Sequence, residues 1–385
     1  MVEAIGLRGL RPAPEHVTRV SAPPYDVIKP GSKLEARLQK EPASLYHITL
    51  GDRPKEALDR LRGEGFLVED DEPAYYVYEQ RFGDEARTGV LLAAEVSPYE
   101  ERKIIRHEKT FDHKVKGRIA LREAIGLSVG PVFHLTRAPI AALLEEAKQG
   151  TPLYEFDTDL GGISDLHGIH NRVFRVPEAS DLGRRLKEAL APHPFYIADG
   201  HHRYHASLLH GQTHHLCYVT SEARIQAYNR VVNGVKPFAE LKGQLDLEPA
   251  GGFATPPKHA FCLYDGEGSY LLRAKTVPQD VVGRLDCSIL ERELYPALGL
   301  THDMIIDPAH FDYYPESALE DMKEVVDRGD YDLAIALHPV SLDELIAVAD
   351  AGLENPDIVM PEKSTFFAPK ILSGLFLYRH ERRPA

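Results

Sequence analysis

The chain has 385 residues, with 45 Lys+Arg against 59 Asp+Glu and a formal charge of −14. Hydrophobic residues are 43% and charged ones 27%, which excludes a disordered chain and fits a globular protein of two or three domains. Such acidity repels polyanions, so nucleic acid and anionic lipid are excluded as general partners.

The start, Met1-Val2-Glu3-Ala4-Ile5-Gly6-Leu7, lacks a basic segment followed by a long apolar one. No apolar run reaches the ~20 residues that span a bilayer, so a cytoplasmic chain is expected. Ser21-Ala22-Pro23-Pro24-Tyr25-Asp26-Val27-Ile28 is rigid, because paired prolines fix φ and extend the residues before them. It either presents Tyr25 and Asp26 or braces the core. Periodicity then predicts a helix over Lys55–Glu64 and strands over Ala74–Tyr78 and Val90–Val96.

Arg106-His107-Glu108-Lys109-Thr110-Phe111 follows. It opens like H-E-x-x-H, but Phe111 stands where the second histidine belongs, so a zinc-protease reading fails. The run reads either as a catalytic acid or base among cations or as a solvated loop. Further on, a helix is expected over Val115–Ile125, a strand over Pro131–Thr136, and helices over Ala138–Gln149 and Leu182–Leu190.

Phe195-Tyr196-Ile197-Ala198-Asp199-Gly200-His201-His202-Arg203-Tyr204-His205 is the most informative stretch. A buried strand over Phe195–Ala198, a sharp turn and a helix over His202–His210 would present unpaired amides to a phosphate. Gly200 permits close backbone approach and Arg203 adds a forked donor. Asp199 would receive a proton or hold a cation. An Asp N-cap with histidines filling the first turn is an equally good local account. His201 and His205 have a workable zinc spacing, but no third ligand is marked. The three widely spaced cysteines, Cys217, Cys262 and Cys287, argue against a disulfide framework or a thiolate zinc site.

Strands are expected next over Leu216–Thr220, Ala260–Tyr264 and Tyr270–Arg273, the last two forming a hairpin around Asp265-Gly266-Glu267-Gly268. Helices are expected over Ser288–Leu298, Pro315–Arg328 and Leu342–Ala351, the last opened by a Ser341/Glu344 capping box, and a strand over Leu333–Leu337. The Pro/Gly-rich joint from Pro249 to Pro257 suggests domains 1–248 and 249–385. Met360-Pro361-Glu362-Lys363-Ser364-Thr365-Phe366-Phe367-Ala368-Pro369-Lys370 either meets an anionic ligand or closes a domain. Neither G-x-x-x-x-G-K-[ST], nor a Rossmann G-x-G-x-x-G, nor G-x-S-x-G occurs.

Five segments occur together in order: Ala22–Ile28, Arg106–Thr110, Tyr196–Tyr204, Asn229-Arg230-Val231-Val232, and Pro361-x-Lys363-Ser364-Thr365-Phe366-Phe367-x-Pro369-Lys370-x-x-Ser373-Gly374-Leu375. As a set they resemble the bacterial and archaeal family catalogued as domain of unknown function 1015. The Asp-Gly-His-His-Arg turn is also similar to the nucleotide-phosphate turn of the ParB/sulfiredoxin superfamily, which includes free-serine kinases. The resemblance implies a mixed α/β (α+β) chain with a ParB/sulfiredoxin-like nucleotide-binding core, large insertions and a C-terminal α/β part. It also implies nucleotide phosphates over residues 200–203. Sulfiredoxin's reactive cysteine is absent, His201 standing after Gly200, which disfavours thiol-based reduction.

On this basis the expected activity is transfer of phosphate from ATP (or ADP), with Mg²⁺, to the hydroxyl of free L-serine. Gly200, His201, His202 and Arg203 would hold phosphates, and Arg203 would also stabilise charge on the transferring group. Glu108 would be the base, with Asp199 as the alternative base; Asp199 and Glu108 are the carboxylates for the metal. Arg230, Lys363 and Ser364 would bind substrate. The rivals are a nucleotide-binding regulatory protein of ParB type and a metal-dependent phosphohydrolase or nuclease.

Overall fold

Runs rich in β-branched and aromatic residues pair into sheets, and the periodic stretches between them close as helices. The computed structural model describes residues 1–110, 112–159, 167–236, 238–307 and 309–379. It is 32% helical and 29% strand, the mixed helix-and-sheet class expected. Contacts divide the chain into two compact units, Met1–Ala223 with Pro369–Ala385, and Arg224–Ala368. The expected 248/249 joint falls inside the second unit, within the strand Leu247–Pro249. No helix among the described residues is long and apolar enough to cross a membrane.

The first unit is built on nine strands: β1 (Ala4–Ile5), β2 (Ala74–Phe82), β3 (Glu85–Glu95), β4 (Ile104–Ile105), β5 (Val132–Thr136), β6 (Tyr154–Asp159), β7 (His167–Pro177), β8 (Phe195–Asp199) and β9 (His214–Thr220). Their order is β4-β8-β5-β9-β3-β2-β7-β6, with β1 added to β3. The β4–β8 and β5–β9 pairs are parallel and the others antiparallel. One face buries Leu92, Val132, Phe195, Ile197 and Val219, with Leu144, Leu186 and Tyr204 among the residues packed over them. Those three belong to helices α2 (Ala141–Ala147), α3 (Asp181–Leu190) and α4 (His201–Leu209), while α1 (Asp112–Ile125) packs against α4. The helix expected from Ala138 starts only at Ala141, because Pro139 disfavours helical geometry at the residue before it. Strands β6 and β7 were not expected, and the polar run His170-Asn171-Arg172 lies within β7.

In the second unit six strands form an antiparallel sheet in the order Leu247–Pro249, Ser269–Arg273, Ala260–Tyr264, Leu333–Leu337, Tyr228–Val232, Phe311–Pro315. The expected hairpin is present, with Asp265 Oδ1 accepting from the amides of Glu267 (3.0 Å) and Gly268 (2.9 Å). The Ser341/Glu344 capping box is also present, opening a helix over Leu342–Glu354. Two expectations need correction. The Pro315–Arg328 helix begins only at Leu319, because Pro315 ends an aromatic strand. The Ser288–Leu298 helix contains a π-helical stretch, Leu290–Leu294, just before Pro296, whose missing N–H interrupts the regular ladder.

Candidate functional site

Strand β8 buries Phe195–Ala198, and its register with β5 shifts between Ile197 and Asp199. Such an irregularity re-aims the residue at the strand end. Gly200 then turns the chain at φ 95° and caps α4 with no side-chain hydrogen bond. A Cβ at this position would sit 2.8 Å from Arg203 Nε and 2.9 Å from its Cζ. Glycine is therefore required both by the left-handed backbone and by the guanidinium folded over it. The first amide of the helical ladder is that of Tyr204, donating to the Gly200 carbonyl at 3.0 Å. The amides of His201, His202 and Arg203 precede it and so lie outside the helical ladder, at the positive end of the helix dipole.

Asp199 is not the N-cap. Its Oδ2 accepts from Arg203 Nη2 (3.2 Å) and Lys370 Nζ (3.5 Å). Burial pulls the Asp199 carboxyl upward, but Lys370, Arg203 and His201 outweigh it and hold the group well below the usual carboxylate range. Arg203 is further fixed by donating Nη1 to the Pro131 carbonyl. Lys370 is held here because the C-terminal segment returns to the first unit: Ser373 and Ala22 exchange backbone hydrogen bonds at 2.8 and 3.1 Å. The N-terminal Pro-Pro segment is thus tied to the segment carrying Lys370.

The parallel pairing of β4 with β8 brings Arg106–Thr110 beside the turn. His107 is fully buried, which removes the solvated-loop reading for that residue. Its backbone N–H donates to His201 Nε2 at 3.5 Å, and the two rings meet edge to face with centroids 4.5 Å apart. Glu108 lies between them, Oε2 at 3.6 Å from His201 Nδ1 and Oε1 at 3.8 Å from His107 Nε2. Burial pushes the His107 imidazole down to about 4. His201 is held well below its usual range by burial first and then by His107, so both rings are neutral at pH 7. His107, Glu108 and His201 each offer a metal-ligand atom within 4.8 Å of the others. By donor type the two imidazoles and one carboxylate suit an imidazole-binding cation rather than the expected Mg²⁺, and Asp199 already faces two cations.

Arg230, Lys363 and Ser364 belong to the second unit and cluster there. Arg230 is buried in the strand Tyr228–Val232, donates Nε to Tyr295 Oη (3.0 Å), and reaches the Lys363 carbonyl (3.4 Å). Lys363 Nζ lies 5.2 Å from the Tyr228 ring centre, and Ser364 Oγ donates to the Pro361 carbonyl at 2.6 Å. His205 stacks on Tyr99 instead of joining His201 in a metal group. Phe111 lies outside the described residues. Sequence reasoning missed the buried group His134, His215 and Cys217, in which the histidine Nε2 atoms lie 2.8 Å apart. The i, i+2 spacing of His215 and Cys217 hinted at a shared face, but His134 joins them only through the β5–β9 pairing. Arg118 and Arg122 on α1 were missed too.

A mixed-sheet protein with a strand–glycine–helix turn, backed by a neutral histidine pair and a carboxylate, is the class that fold and site define. The chain belongs to the family described as protein of unknown function DUF1015, whose model matches residues 5–288. No curated protein matches it. Solved structures similar to it include a free serine kinase in complex with AMP, at 15% identity and a TM-score of 0.39, covering 74% of this chain and 92% of that one. Another is SbnI with a C-terminal truncation from Staphylococcus aureus, at 13% identity and a TM-score of 0.41, covering 75% and 87%. A conserved hypothetical protein from Pyrococcus furiosus matches at 14% identity and a TM-score of 0.35, covering 74% and 92%.

Proposed function

We propose that the chain is a small-molecule kinase that transfers a phosphoryl group from ATP or ADP, taken as its magnesium complex, to the hydroxyl of free L-serine. The observation that carries this reading is the meeting of Glu108 with the Gly200 turn. A carboxylate lies against His201, one residue from a glycine whose following amides lie outside the helical ladder. Phosphoryl transfer asks little covalent chemistry of a protein; it asks for positioning and charge neutralisation. The amides of His201, His202 and Arg203 bind phosphate oxygens, and the Arg203 guanidinium stabilises charge on the transferring group. Asp199 and the Pro131 carbonyl hold that guanidinium in place, so Asp199 acts as a positioning residue rather than as the base. Glu108 takes the serine hydroxyl proton as the serine oxygen bonds to the terminal phosphorus and the bridging P–O bond breaks, releasing ADP or AMP. Mg²⁺ would be carried by the nucleotide phosphates rather than by the two imidazoles, since it prefers oxygen ligands.

A coupled assay of nucleoside diphosphate or monophosphate release, with and without L-serine, tests the reading. Serine-dependent release with O-phosphoserine as product is the expected result. Serine-independent release would replace the proposal with a hydrolase, and tight nucleotide binding without turnover would replace it with a nucleotide-gated regulator.

A further inference from the structure

Behind the Arg203 side chain lies a small cavity lined by Tyr25, Arg118, Arg122, Ser128, Arg203 and Ser373, among others. Its volume of about 30 Å³ is two to three times what one water needs, so it takes a small group and not a nucleoside. Arg118 and Arg122 sit four residues apart on α1 and so share a face, an arrangement that costs stability when the two charges are alike. Arg118 places its guanidinium carbon 3.8 Å from the centre of the Tyr25 ring. Arg122 is 7% exposed and donates Nη2 to the Arg203 carbonyl at 2.7 Å.

Two polar atoms in this lining have no hydrogen-bond partner among the described residues: Arg122 Nη1 and the hydroxyl of Ser128, which is 4% exposed. The charge balance is equally one-sided. Three guanidinium groups line the cavity; Asp26 acts on Arg118 and Asp199 bonds Arg203 and Lys370, whereas the charged groups acting on Arg122 are the other two arginines and Tyr25. Burial, with Arg118 and Arg203 adding to it, pulls the Arg122 guanidinium down to about 9. A buried cation without a counter-charge is strongly unfavourable unless something anionic joins it. The opposite wall is Gly130, where a Cβ would come 2.9 Å from Ser373 Oγ and 3.6 Å from Arg203 Nη1.

We infer that this cavity binds a compact oxyanion, a phosphoryl or carboxylate group, through Arg118, Arg122 and Ser128, with Arg203 as the wall it shares with the Gly200 turn. The inference goes beyond the kinase proposal, since an oxyanion fits here whether or not phosphate is transferred.

The test is calorimetric titration of the full-length chain with inorganic phosphate and, separately, with acetate, together with melting temperatures, for the wild type, Arg122→Met and Ser128→Ala. Saturable phosphate binding is expected, weakened about 10- to 100-fold in Arg122→Met, the scale of one charge-assisted contact. Ser128→Ala should weaken it less. Without anion, Arg122→Met should melt no lower than the wild type, because it removes an uncompensated charge. Acetate binding with the same response to the variants assigns the pocket to a carboxylate instead of a phosphoryl group. Absence of saturable binding by either anion, or binding that both variants leave at full strength, overturns the inference. Should Arg122→Met fail to fold, unchanged phosphate affinity in Ser128→Ala alone overturns it. Serine-dependent turnover is scored separately: anion binding without turnover removes the kinase reading and leaves the pocket, and the reverse result does the opposite.

Discussion

Replacing Glu79 by glutamine tests the electrostatics that hold the first unit's sheet. Glu79, on β2, has a side chain only 1% exposed yet faces three cations, with Arg81, Lys148 and Arg172 each at 2.7 Å. Burial pulls its carboxyl up, but Lys148, Arg81 and Arg172 together bring it from 4.5 down to about 2. That difference is a factor of about 300 in proton affinity, or about 3 kcal/mol of folding stability. Because the folded-state value is the depressed one, this stability is fully present above pH ~4.5 and is lost as pH falls towards 2. At pH 3 about 1.4 kcal/mol should remain. Glutamine keeps the shape and one carbonyl acceptor, so Glu79→Gln isolates the charge. By calorimetry, the first unit's transition at pH 7 should fall by roughly 6–12 °C, at the ~2–4 °C per kcal/mol usual for domains of this size. The gap between wild type and variant should narrow steadily from pH 5 to pH 3. A drop below about 2 °C at pH 7, or a gap that does not change with pH, would refute this account of the cluster.

Three other outcomes follow from the site and the fold. Gly200→Ala puts a Cβ within 2.8 Å of Arg203 Nε at φ 95°, so it should cost ~1–2 kcal/mol of stability and abolish measurable nucleotide binding; titration at wild-type affinity would contradict the role of the turn. Glu108→Gln and Arg203→Ala should each lower serine-dependent turnover by at least ~10²-fold, the scale of one positioned base or charge, and near-normal rates in both would remove the assignment. Ser341→Ala deletes the cap of the helix Leu342–Glu354 and should cost the second unit ~1 kcal/mol, read as a lowered melting transition. An unchanged transition would mean that packing alone fixes this helix end.

Local chemistry made much of this legible in the sequence. The Ala260–Tyr264 and Leu333–Leu337 strands and the Ser341 cap follow from apolar runs and capping spacing, and they appear where expected. The Gly200 turn was legible for the same reason, since strand, glycine and helix are consecutive. What the sequence did not reveal depends on pairing across long separations. Glu108 reaches His201 because β4 lies parallel to β8, and Lys370 reaches Asp199 because the last segment returns to Ala22. Strand β6 does carry the period-two alternation of a half-buried strand, Tyr154-Glu155-Phe156-Asp157, and was overlooked along with β7. Arg230, expected to bind substrate, is buried in a strand where Tyr295 and the Lys363 carbonyl satisfy the guanidinium.

The charge of −14 and a cationic site are compatible because they act at different ranges. At physiological salt, charges farther apart than about 8 Å are largely screened in water, while buried charges are screened far less. The acidic surface therefore repels an extended polyanion, which must lie along it, but has little hold on a small anion inside a pocket. Arg203 and Lys370 meet Asp199, while Arg118 and Arg122 line the cavity with Arg203. The same sum of charges is thus compatible with the small-anion pocket proposed above. The selectivity lies in where the cations are buried, which the total cannot reveal.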